Sequence, residues 1–493
     1  MAAQHDGSHK SSSWVVLKFG GSSVATAERW QTIARVVRAR LEEGVRPLVV
    51  CSALSGVSNL LADLLHEAER GRQPDELLEQ VRAKHHALGE GLGLDVTPLV
   101  GAYLEELERL ISGARLIGEV SPQLRARVMS AGELMSTRIG AEWMSAQGLA
   151  TAWWDARELL QAQPAPAGAS PSRHFLSATC DTHADPALVE QLTAAEGAVA
   201  MTQGFIARDA DGATVLLGRG GSDTSAAYLA ARVQAQRLEI WTDVPGMFTC
   251  NPRDFPNARL LRQLGYEEAQ VLAAMGARVL HPPCIQPVQD HDIPLHICWT
   301  NHPHVQGTVI SREAETEEPT VKAVAARHEI YLLRIRCPGF WHLVGLLADV
   351  TGVFKRHGLS IDLIANSASR ISLTLDPVVS PVDAGAMQRL LEDLQAHGTT
   401  EASEEVASVS LVGSNIGSLM HKLAPSFEHL GSERIRLVSQ AASDDGLSFV
   451  LDKEAVDHLV RPLHNWLLTG DLPESVFGPS WEELMRQNGD GLN

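Results

Sequence analysis

The chain has 493 residues, more than one hydrophobic core usually holds, so its length predicts two or three domains. Its 41 Lys and Arg residues stand against 60 Asp and Glu residues, and the resulting formal net charge of −19 argues against a nucleic-acid binder, which normally presents a basic face. An anionic small-molecule substrate is still possible, because a local basic pocket can override the net field.

The N-terminal segment MAAQHDGSHKSSS is polar and lacks an apolar core, so we expect residues 1–13 to form a disordered leader rather than a signal peptide. No stretch approaches the roughly 18 consecutive apolar residues that cross a membrane. The six scattered cysteines show no CxxC or Cys/His metal spacing, which indicates reduced thiols. We therefore expect a cytoplasmic protein.

The first part of the chain alternates between strand-like and helix-like patterns. Residues 14–19 (WVVLKF) and 47–54 (PLVVCSAL) are apolar runs typical of buried strands, and an amphipathic helical pattern beginning near Ala27 separates them. Residues 57–150 are mostly helical, and strand-like runs return at 151–155, 198–206, 214–217, 237–242 and 294–299, with a helix at 224–235. This alternation predicts an α/β domain with a mainly parallel sheet covered by helices.

The second part of the chain has a different rhythm. Residues 311–320 are charged and poor in apolar side chains, so we place a linker at 313–327. Two copies of a β-α-β-β-α pattern of roughly 75 residues then follow, predicted as domains at 328–404 and 405–468. Such copies are small, so paired or dimerised copies are expected. We interpret residues 469–493 as a simple tail or as a linker to a further domain.

Lys18 opens a glycine-rich loop, Lys18-Phe19-Gly20-Gly21-Ser22-Ser23, between a predicted strand and a predicted helix. Glycines there let backbone N–H groups approach an anion, and the helix N-terminus adds partial positive charge. An ordinary strand–turn–helix corner would have the same pattern.

A second glycine-rich loop, Leu217–Ser225 (LGRGGSDTS), also lies between a strand and a helix. Two such loops at the carboxyl ends of strands suggest one shared crevice. With Lys18 and Asp223 available to pair, the two loops together predict a clamp for a polyphosphate.

Three other segments carry polar groups that could serve this crevice. Thr242 and Asp243 precede a Pro-Gly turn, and Phe248 and Arg253 follow it. This segment is either an ordinary turn or one wall of a nucleotide-binding site. The hydroxyl-rich stretch 52–58 follows the second strand. Glu133 is interpreted as the opening of a helix, where a carboxylate usually caps or meets the helix dipole but could instead meet the ammonium of an amino acid.

These segments, in this order, resemble the aspartate kinase (aspartokinase) family. The likeness is carried by VVLKFGGSSV, SALSGVSNLL, AGELMST, TQGFI, LGRGGSDTSAA, IWTDVPGMFTCNPR and GARVLHP, and it spans roughly residues 14–468. The C-terminal repeats resemble tandem ACT domains, and the likeness is nearest to the lysine-sensitive type.

The resemblance implies an amino-acid-kinase-like αβα sandwich over residues 14–312, followed by two ferredoxin-like βαββα(β) ACT domains. It implies that ATP, with Mg²⁺, phosphorylates the side-chain carboxylate of L-aspartate, and that an amino-acid effector, lysine or threonine, binds the ACT domains of a homodimer. It implies no protein ligand set for a metal, no nucleic acid and no membrane.

The resemblance also implies roles for individual residues. Lys18 and Asp223 would be catalytic. The nucleotide and its phosphates would bind Gly20, Gly21, Ser22, Gly220, Gly221, Thr242, Asp243, Phe248, Arg253 and Arg278. Aspartate would bind Ser52, Ser58, Glu133, Arg219 and Ser222. The effector would bind Gly339, Phe340, Leu343, Gly345, Ser360, Ile361 and Asp362.

The chain departs from the family pattern at a few of these positions. Arg278 stands where Lys is usual, Phe248 where Tyr is frequent, and Asn251 where Asp is usual. Leu343 stands where the lysine-sensitive type has a polar residue, which leaves the identity of the effector open.

Two rival functions stay open at this point. One is a kinase of the same fold that phosphorylates glutamate, carbamate or a nucleotide. The other is a non-catalytic regulator that binds an amino acid.

Overall fold

A computed structural model describes most of the chain and divides it into two compact units. The described residues are 13–166, 168–277, 279–314, 318–337, 344–367, 369–380, 382–427, 434–440, 443–468 and 472–489. The first unit takes in the described residues of 1–247, 262–266 and 278–314. The second takes in those of 248–261, 267–277 and 315–493.

The first unit is built on one mixed sheet. Its strands are β1 (Trp14–Phe19), β2 (Arg46–Cys51), β3 (Thr151–Trp153), β4 (Val199–Gln203), β7 (Leu238–Thr242), β9 (Gln263–Leu264), β10 (Leu295–Trp299) and β11 (Thr308–Ile310). Strands β5 (Ile206–Arg208) and β6 (Thr214–Leu216) pair antiparallel with each other in a separate sheet, and β8 (Arg259–Leu261) belongs to the second unit. The sheet order is β3-β4-β2-β1-β7-β10-β11-β9, and only the β10–β11 pairing is antiparallel. The predicted, mainly parallel sheet is confirmed.

Helices connect these strands. They are α1 (Ala27–Glu42), α2 (Val57–Glu69), α3 (Asp75–Leu92), α4 (Thr97–Ile117), α5 (Pro122–Ala146), α6 (Ala156–Leu159), α7 (Pro171–Leu176), α8 (Pro186–Ala194), α9 (Gly221–Arg232), α10 (Tyr266–Ala274) and α11 (Ile285–Asp290). Side chains of α1–α5 and of β1, β2 and β4 share one large apolar core, in which Trp30 and Leu61 are fully buried. Within α10, Tyr266 belongs to the first unit and the residues from 267 onward to the second.

Helix α5 corrects one expectation from the sequence. The segment around Glu133 was expected to open a helix, but α5 starts at Pro122, with Ser121 as its N-cap, and runs for 25 residues. Pro122 is favourable at the first helical position, and none of the residues that follow breaks the helix. Glu133 therefore lies in the middle of a helix, where neither capping nor the helix dipole explains its carboxylate.

The second unit contains a six-stranded antiparallel sheet. Its elements are β12 (Thr320–Arg336), α12 (Leu346–His357), β13 (Ile364–Ser367), β14 (Arg370–Leu375), α13 (Ala384–Gln395), β15 (Thr399–Ser414), α14 (Met420–Phe427), β16 (Leu437–Gln440), β17 (Gly446–Asp452) and α15 (Val456–Leu467). The sheet order is β13-β14-β12-β15-β17-β16. The predicted βαββα order occurs twice, and the two copies share one sheet through β12 and β15.

The domain boundaries expected from the sequence fall inside strands. The 327/328 boundary lies within β12, and the 404/405 boundary lies within β15. Residues 361–363 precede strand β13 and are not part of it. The long strands β12 and β15 pair with each other along most of their lengths, so no linker separates the two copies.

The expectation of a tail or linker after residue 468 is wrong for residues 477–488. Strand β18 (Phe477–Ser480) pairs antiparallel with β8, and helix α16 (Trp481–Asn488) follows. The side chains of Ser480 and Glu483 cap α16 reciprocally, and the ring of Trp481 packs edge-on against Phe248 with centroids 5.6 Å apart. This C-terminal strap is thus held by backbone pairing, by capping and by an aromatic contact.

Two further properties concern the whole set of described residues. All six cysteines are described and unpaired. Among the helices that the structure describes, none combines the length and the hydropathy needed to traverse a bilayer.

Candidate active site

The carboxyl ends of several parallel strands meet at one edge of the first unit's sheet. Lys18 in β1 lies opposite Val50 in β2 and Ile240 in β7, and Cys51 at the end of β2 lies opposite Gln203 in β4. The loops that follow β1, β2, β4 and β7 consequently start side by side. This edge is where ligands bind in open sheets of this kind.

Lys18 and Asp223 form an ion pair at this edge. The Lys18 ammonium lies 2.6 Å from Asp223 Oδ1, and the two side chains are only 11% and 13% exposed. Lys18 comes from β1 and Asp223 from the first turn of α9, where a carboxylate also faces the helix N-terminus. The pairing predicted from the sequence is therefore present.

The glycine-rich loop before α9 has a backbone shape that only glycine adopts easily. Gly220 has a φ of +63° and forms the N-cap of α9. A Cβ at Gly220 would lie 2.1 Å from the His281 ring, so a larger residue would displace either the loop or that imidazole. Burial lowers the pKa of His281, which keeps this imidazole neutral beside the Lys18–Asp223 pair.

Glu133 has an unusual environment for a carboxylate. Its side chain is buried, with a residue exposure of 3%, and Oε2 has no hydrogen-bond partner among the described residues. Burial raises the Glu133 pKa to about 8, although the Ala53 amide donates a hydrogen bond to the carboxylate and opposes that shift. A buried carboxylate with one unbonded oxygen can accept a cationic group from a ligand.

The loop after β2 is fixed to the same helix that carries Glu133. The Ser136 hydroxyl donates a hydrogen bond to the Ser52 carbonyl oxygen over 2.6 Å. Residues Ser52 and Ala53 are therefore held one turn from Glu133, and their loop faces it.

These groups surround a single cavity of about 460 Å³, large enough for an amino acid beside a phosphate chain. Eleven of the predicted site residues line it, namely Lys18, Gly20, Gly21, Ser52, Ser58, Glu133, Arg219, Gly220, Gly221, Ser222 and Asp223. The cavity thus brings together both predicted catalytic residues, four of the predicted phosphate-binding glycines and all five predicted aspartate-binding residues.

The other residues predicted to bind the nucleotide do not line this cavity or lie outside the described residues. Ser22, Thr242 and Asp243 belong to the first unit but do not line this cavity. Phe248 and Arg253 belong to the second unit, where Phe248 is 7% exposed and packs against Trp481. Arg278 lies outside the described residues.

The predicted effector residues are only partly described. Gly339, Phe340 and Leu343 lie outside the described residues. In the second unit, Gly345 is the N-cap of α12, the Ser360 amide donates to the Ser380 hydroxyl, and Ile361 is half-buried. The Asp362 carboxylate forms an ion pair with Arg327.

Several cavity residues were not selected from the sequence. Asn59 and Phe205 are two of them, whereas Ala53, Leu54, Ser55, Gly56 and Gly218 lie in the predicted stretch 52–58 and loop Leu217–Ser225 but had no individual role assigned. Phe205 follows β4 as Ser52 follows β2, so the position after a parallel strand was the available signal. Phe205 also has a φ of +69°, and its amide donates to the Ser225 hydroxyl over 2.7 Å, which fixes the ring beside the glycine loop.

In the described part of the chain, no group of three or more His, Cys, Asp or Glu side chains could hold a metal ion. Kinase magnesium ions are usually held by substrate phosphates, waters and one or two carboxylates, without a complete protein cage. Asp223 at the cavity and the exposed Asp243 are carboxylates that fit this limited role.

Comparison with known proteins yields a consistent assignment. The profile of the amino acid kinase family matches residues 13–298. Lysine-sensitive aspartokinase 3 of Escherichia coli is 33% identical over 458 residues, covering 92% of this chain and 98% of that protein.

Two solved structures of E. coli aspartokinase III agree with the fold. The structure with aspartate and ADP (R-state) has a TM-score of 0.78 at 33% identity and covers 92% of this chain and 100% of that one. The structure with lysine and aspartate (T-state) has a TM-score of 0.74 at 34% identity and covers 93% and 100%. The chain therefore belongs to the aspartokinase branch of the amino acid kinase family.

Proposed function

We propose that this chain transfers the γ-phosphate of ATP to the side-chain carboxylate of L-aspartate and releases 4-phospho-L-aspartate and ADP, the first step of lysine, threonine and methionine biosynthesis. The observation that carries the proposal is the Lys18–Asp223 pair, 2.6 Å long, on a cavity that Glu133 and Arg219 also line. The E. coli relative, whose structures contain aspartate and ADP, supports the same substrates.

The reaction needs no general base. The aspartate side chain is ionised at neutral pH, with an ordinary pKa near 3.9. One of its oxygens forms a bond to the γ-phosphorus, and the bond from that phosphorus to the β–γ bridging oxygen breaks, leaving its electron pair on ADP. The main obstacle is repulsion between two anions, so catalysis depends on positioning and on charge neutralisation.

The cavity residues divide these tasks. Lys18 neutralises charge on the transferred phosphate, and Asp223 holds the Lys18 ammonium in place. The glycines of the two loops present backbone amides to the phosphates. Mg²⁺, when bound, supplies further positive charge on the phosphate oxygens. Thr242, Asp243, Phe248, Arg253 and Arg278 remain predictions for the nucleotide.

The aspartate substrate has three charged groups, and two of them match residues on the cavity. Arg219 would hold the α-carboxylate, because a guanidinium binds carboxylates through two parallel hydrogen bonds. Glu133 would hold the α-ammonium with its buried carboxylate. Ser52, Ser58 and Ser222 supply hydroxyl groups around the substrate. This placement leaves the side-chain carboxylate as the nucleophile.

Regulation is proposed for the second unit. Its two βαββα copies resemble amino-acid-sensing domains, and the E. coli relative has been solved with lysine. We expect an amino acid, lysine before threonine, to bind near Asp362 and to inhibit the kinase, and we expect a homodimer through these copies. The cytoplasmic location expected from the sequence stays a prediction.

The reaction can be tested by trapping its product. The purified chain is incubated with ATP, Mg²⁺ and hydroxylamine, and with L-aspartate, L-glutamate or carbamate in parallel, and the hydroxamate is measured. We expect aspartate hydroxamate as the dominant product, with ADP formed in equal amount. Preferential reaction of glutamate or carbamate would identify a different kinase of the same fold, and nucleotide binding without turnover would identify a regulator.

A further inference from the structure

Arg327 joins two carboxylates inside the second unit. This β12 residue is 7% exposed, and its guanidinium forms ion pairs with Asp362 and with Asp376, the latter at 3.3 Å. Thr374 also donates its hydroxyl to Asp362 Oδ2 over 3.2 Å. One guanidinium between two carboxylates gives these three side chains a net charge of −1, which leaves room for one more cation.

The Arg327 side chain also contacts the two residues that follow helix α10. Arg327 Nη2 lies 3.6 Å from Met275 Sδ, and a Cβ at Gly276 would lie 2.8 Å from Arg327 Cγ. Gly276 has a φ of +123°, which favours glycine. Arg327 therefore packs closely against Met275 and Gly276, so a displacement of its side chain displaces them as well.

Helix α10 is fixed at both of its ends. At its start, the Tyr266 hydroxyl donates to the Ile293 carbonyl oxygen over 2.8 Å within the first unit. In the second unit, Glu268 pairs with Lys322 at 2.6 Å, and both side chains are 3% exposed. The helix is thus held by side-chain contacts in its first turn, and the two residues that follow its last residue lie against the Arg327 side chain.

We propose that Arg327 is a positioning residue that relays the occupancy of Asp362 to the segment Met275–Gly276. This inference depends on the proposed function, in which an amino-acid effector binds at Asp362. The effector's ammonium replaces the guanidinium at Asp362, and Arg327 keeps Asp376 as its partner. Because Met275 and Gly276 lie against the same side chain, they shift with it.

An allosteric ligand must interact differently with two arrangements of the protein. Here the two arrangements differ in which cation pairs with Asp362. Without effector, Asp362 is neutralised by Arg327. With effector, Asp362 is neutralised by the ligand, and the net charge of the cluster falls to zero. An amino acid that cannot place its ammonium group at Asp362 gains no binding free energy from this exchange.

The test separates effector binding from inhibition. Kinase activity is titrated with lysine, threonine and methionine, and binding of the same amino acids is measured by calorimetry. The variants are Arg327→Gln and Met275→Ala, and the control is Arg336→Gln, which removes an exposed guanidinium from the same strand. Met275→Ala keeps both ion pairs of Arg327, so it decides the test if Arg327→Gln fails to fold.

We expect Met275→Ala to bind the inhibitory amino acid within about threefold of the wild-type affinity. Its inhibition factor at saturation should fall at least about fivefold, the lower end of ordinary allosteric coupling. Arg327→Gln should lose inhibition likewise, and Arg336→Gln should behave as wild type. Full inhibition in folded Met275→Ala, or joint loss of binding and inhibition in that variant, overturns the relay.

The same experiment distinguishes failure of the relay from failure of the proposed function. A wild-type enzyme that forms aspartate hydroxamate but responds to none of the three amino acids contradicts both the relay and the proposed regulation. Absence of aspartate hydroxamate in the wild type contradicts the kinase assignment itself. A wild type that forms aspartate hydroxamate and is inhibited, together with a folded Met275→Ala that is inhibited equally, contradicts the relay alone.

Discussion

Two lysine–carboxylate pairs with the same 2.6 Å separation lie in the two units of this protein. Lys18 and Asp223 are 11% and 13% exposed and line a cavity, whereas Lys322 and Glu268 are each 3% exposed. The glycine loops next to the first pair leave space for a ligand, while a helix and a sheet close around the second. The same kind of ion pair therefore borders an open cavity in one unit and attaches a helix in the other.

The largest expected effect comes from breaking the buried pair. Lys322→Met leaves the Glu268 carboxylate without its cation, although the Ser414 hydroxyl still donates to it over 2.9 Å. Removing one partner of a buried pair costs about 3–5 kcal/mol. We expect the unfolding transition of the second unit to move to lower urea, as followed by circular dichroism.

A surface pair in the same unit is the control for this change. Arg486 and Glu482 lie 2.9 Å apart but are 71% and 49% exposed, so Arg486→Met should change the transition little. If the two substitutions shifted the urea transition equally, burial would not determine how much each ion pair contributes to stability.

A smaller effect is expected from Glu133, the cavity carboxylate whose pKa is raised to about 8 by burial. Only its ionised form attracts the ammonium of aspartate. Below pH 8 the free site loses that form as it takes up a proton, so kcat/KM for aspartate should fall about tenfold per pH unit and should level off above pH 8.

Glu133→Gln should remove this pH dependence and lower kcat/KM for aspartate at pH 8 by roughly 10–100-fold, the cost of losing one buried charged partner. Glu142→Gln changes an exposed carboxylate on the same helix and should leave the profile unchanged. An unaltered profile in Glu133→Gln would remove Glu133 from aspartate binding.

The smallest effect concerns the C-terminal strap. Ser480→Ala removes the hydroxyl that accepts the Glu483 amide over 3.2 Å, and loss of such an N-cap costs about 1 kcal/mol. We expect faster amide hydrogen exchange in residues 481–488 with little change in β12 and β15. Equal protection before and after the substitution would show that the cap does not hold the strap.

The sequence predicted those features whose signal is local. The apolar run of β1 and the two glycine loops follow from short patterns, because strand, loop and helix succeed one another directly along the chain. The Lys18–Asp223 pair joins distant residues and was predicted because two such loops suggest one shared crevice. The periodicity of the two βαββα copies is local too, and their order is confirmed.

The features that the sequence did not predict depend on contacts between distant segments. Glu133 was placed at a helix start although Ser121 and Pro122 give a helix-start signal well before it, and only its depth in α5 reveals the buried carboxylate. The pairing of β12 with β15 and of β8 with β18 joins segments far apart in the chain. Asp362, Asp376 and Met275, which contact Arg327, come from three separate segments of the chain, so no spacing rule identifies them.

The central claim is that Lys18 and Asp223 act as one unit on the phosphate. It is tested most directly by a double-mutant cycle on turnover with ATP and aspartate, using Lys18→Met, Asp223→Asn and the double variant, with Lys453→Ala as an exposed control. Each single substitution should lower kcat by roughly 10²–10³-fold, the cost of one lost electrostatic stabiliser. The double variant should be no more than about tenfold slower than the slower single variant, because groups that act together are not additive. Losses that multiply in the double variant, or near-wild-type turnover in Lys18→Met, would contradict this account.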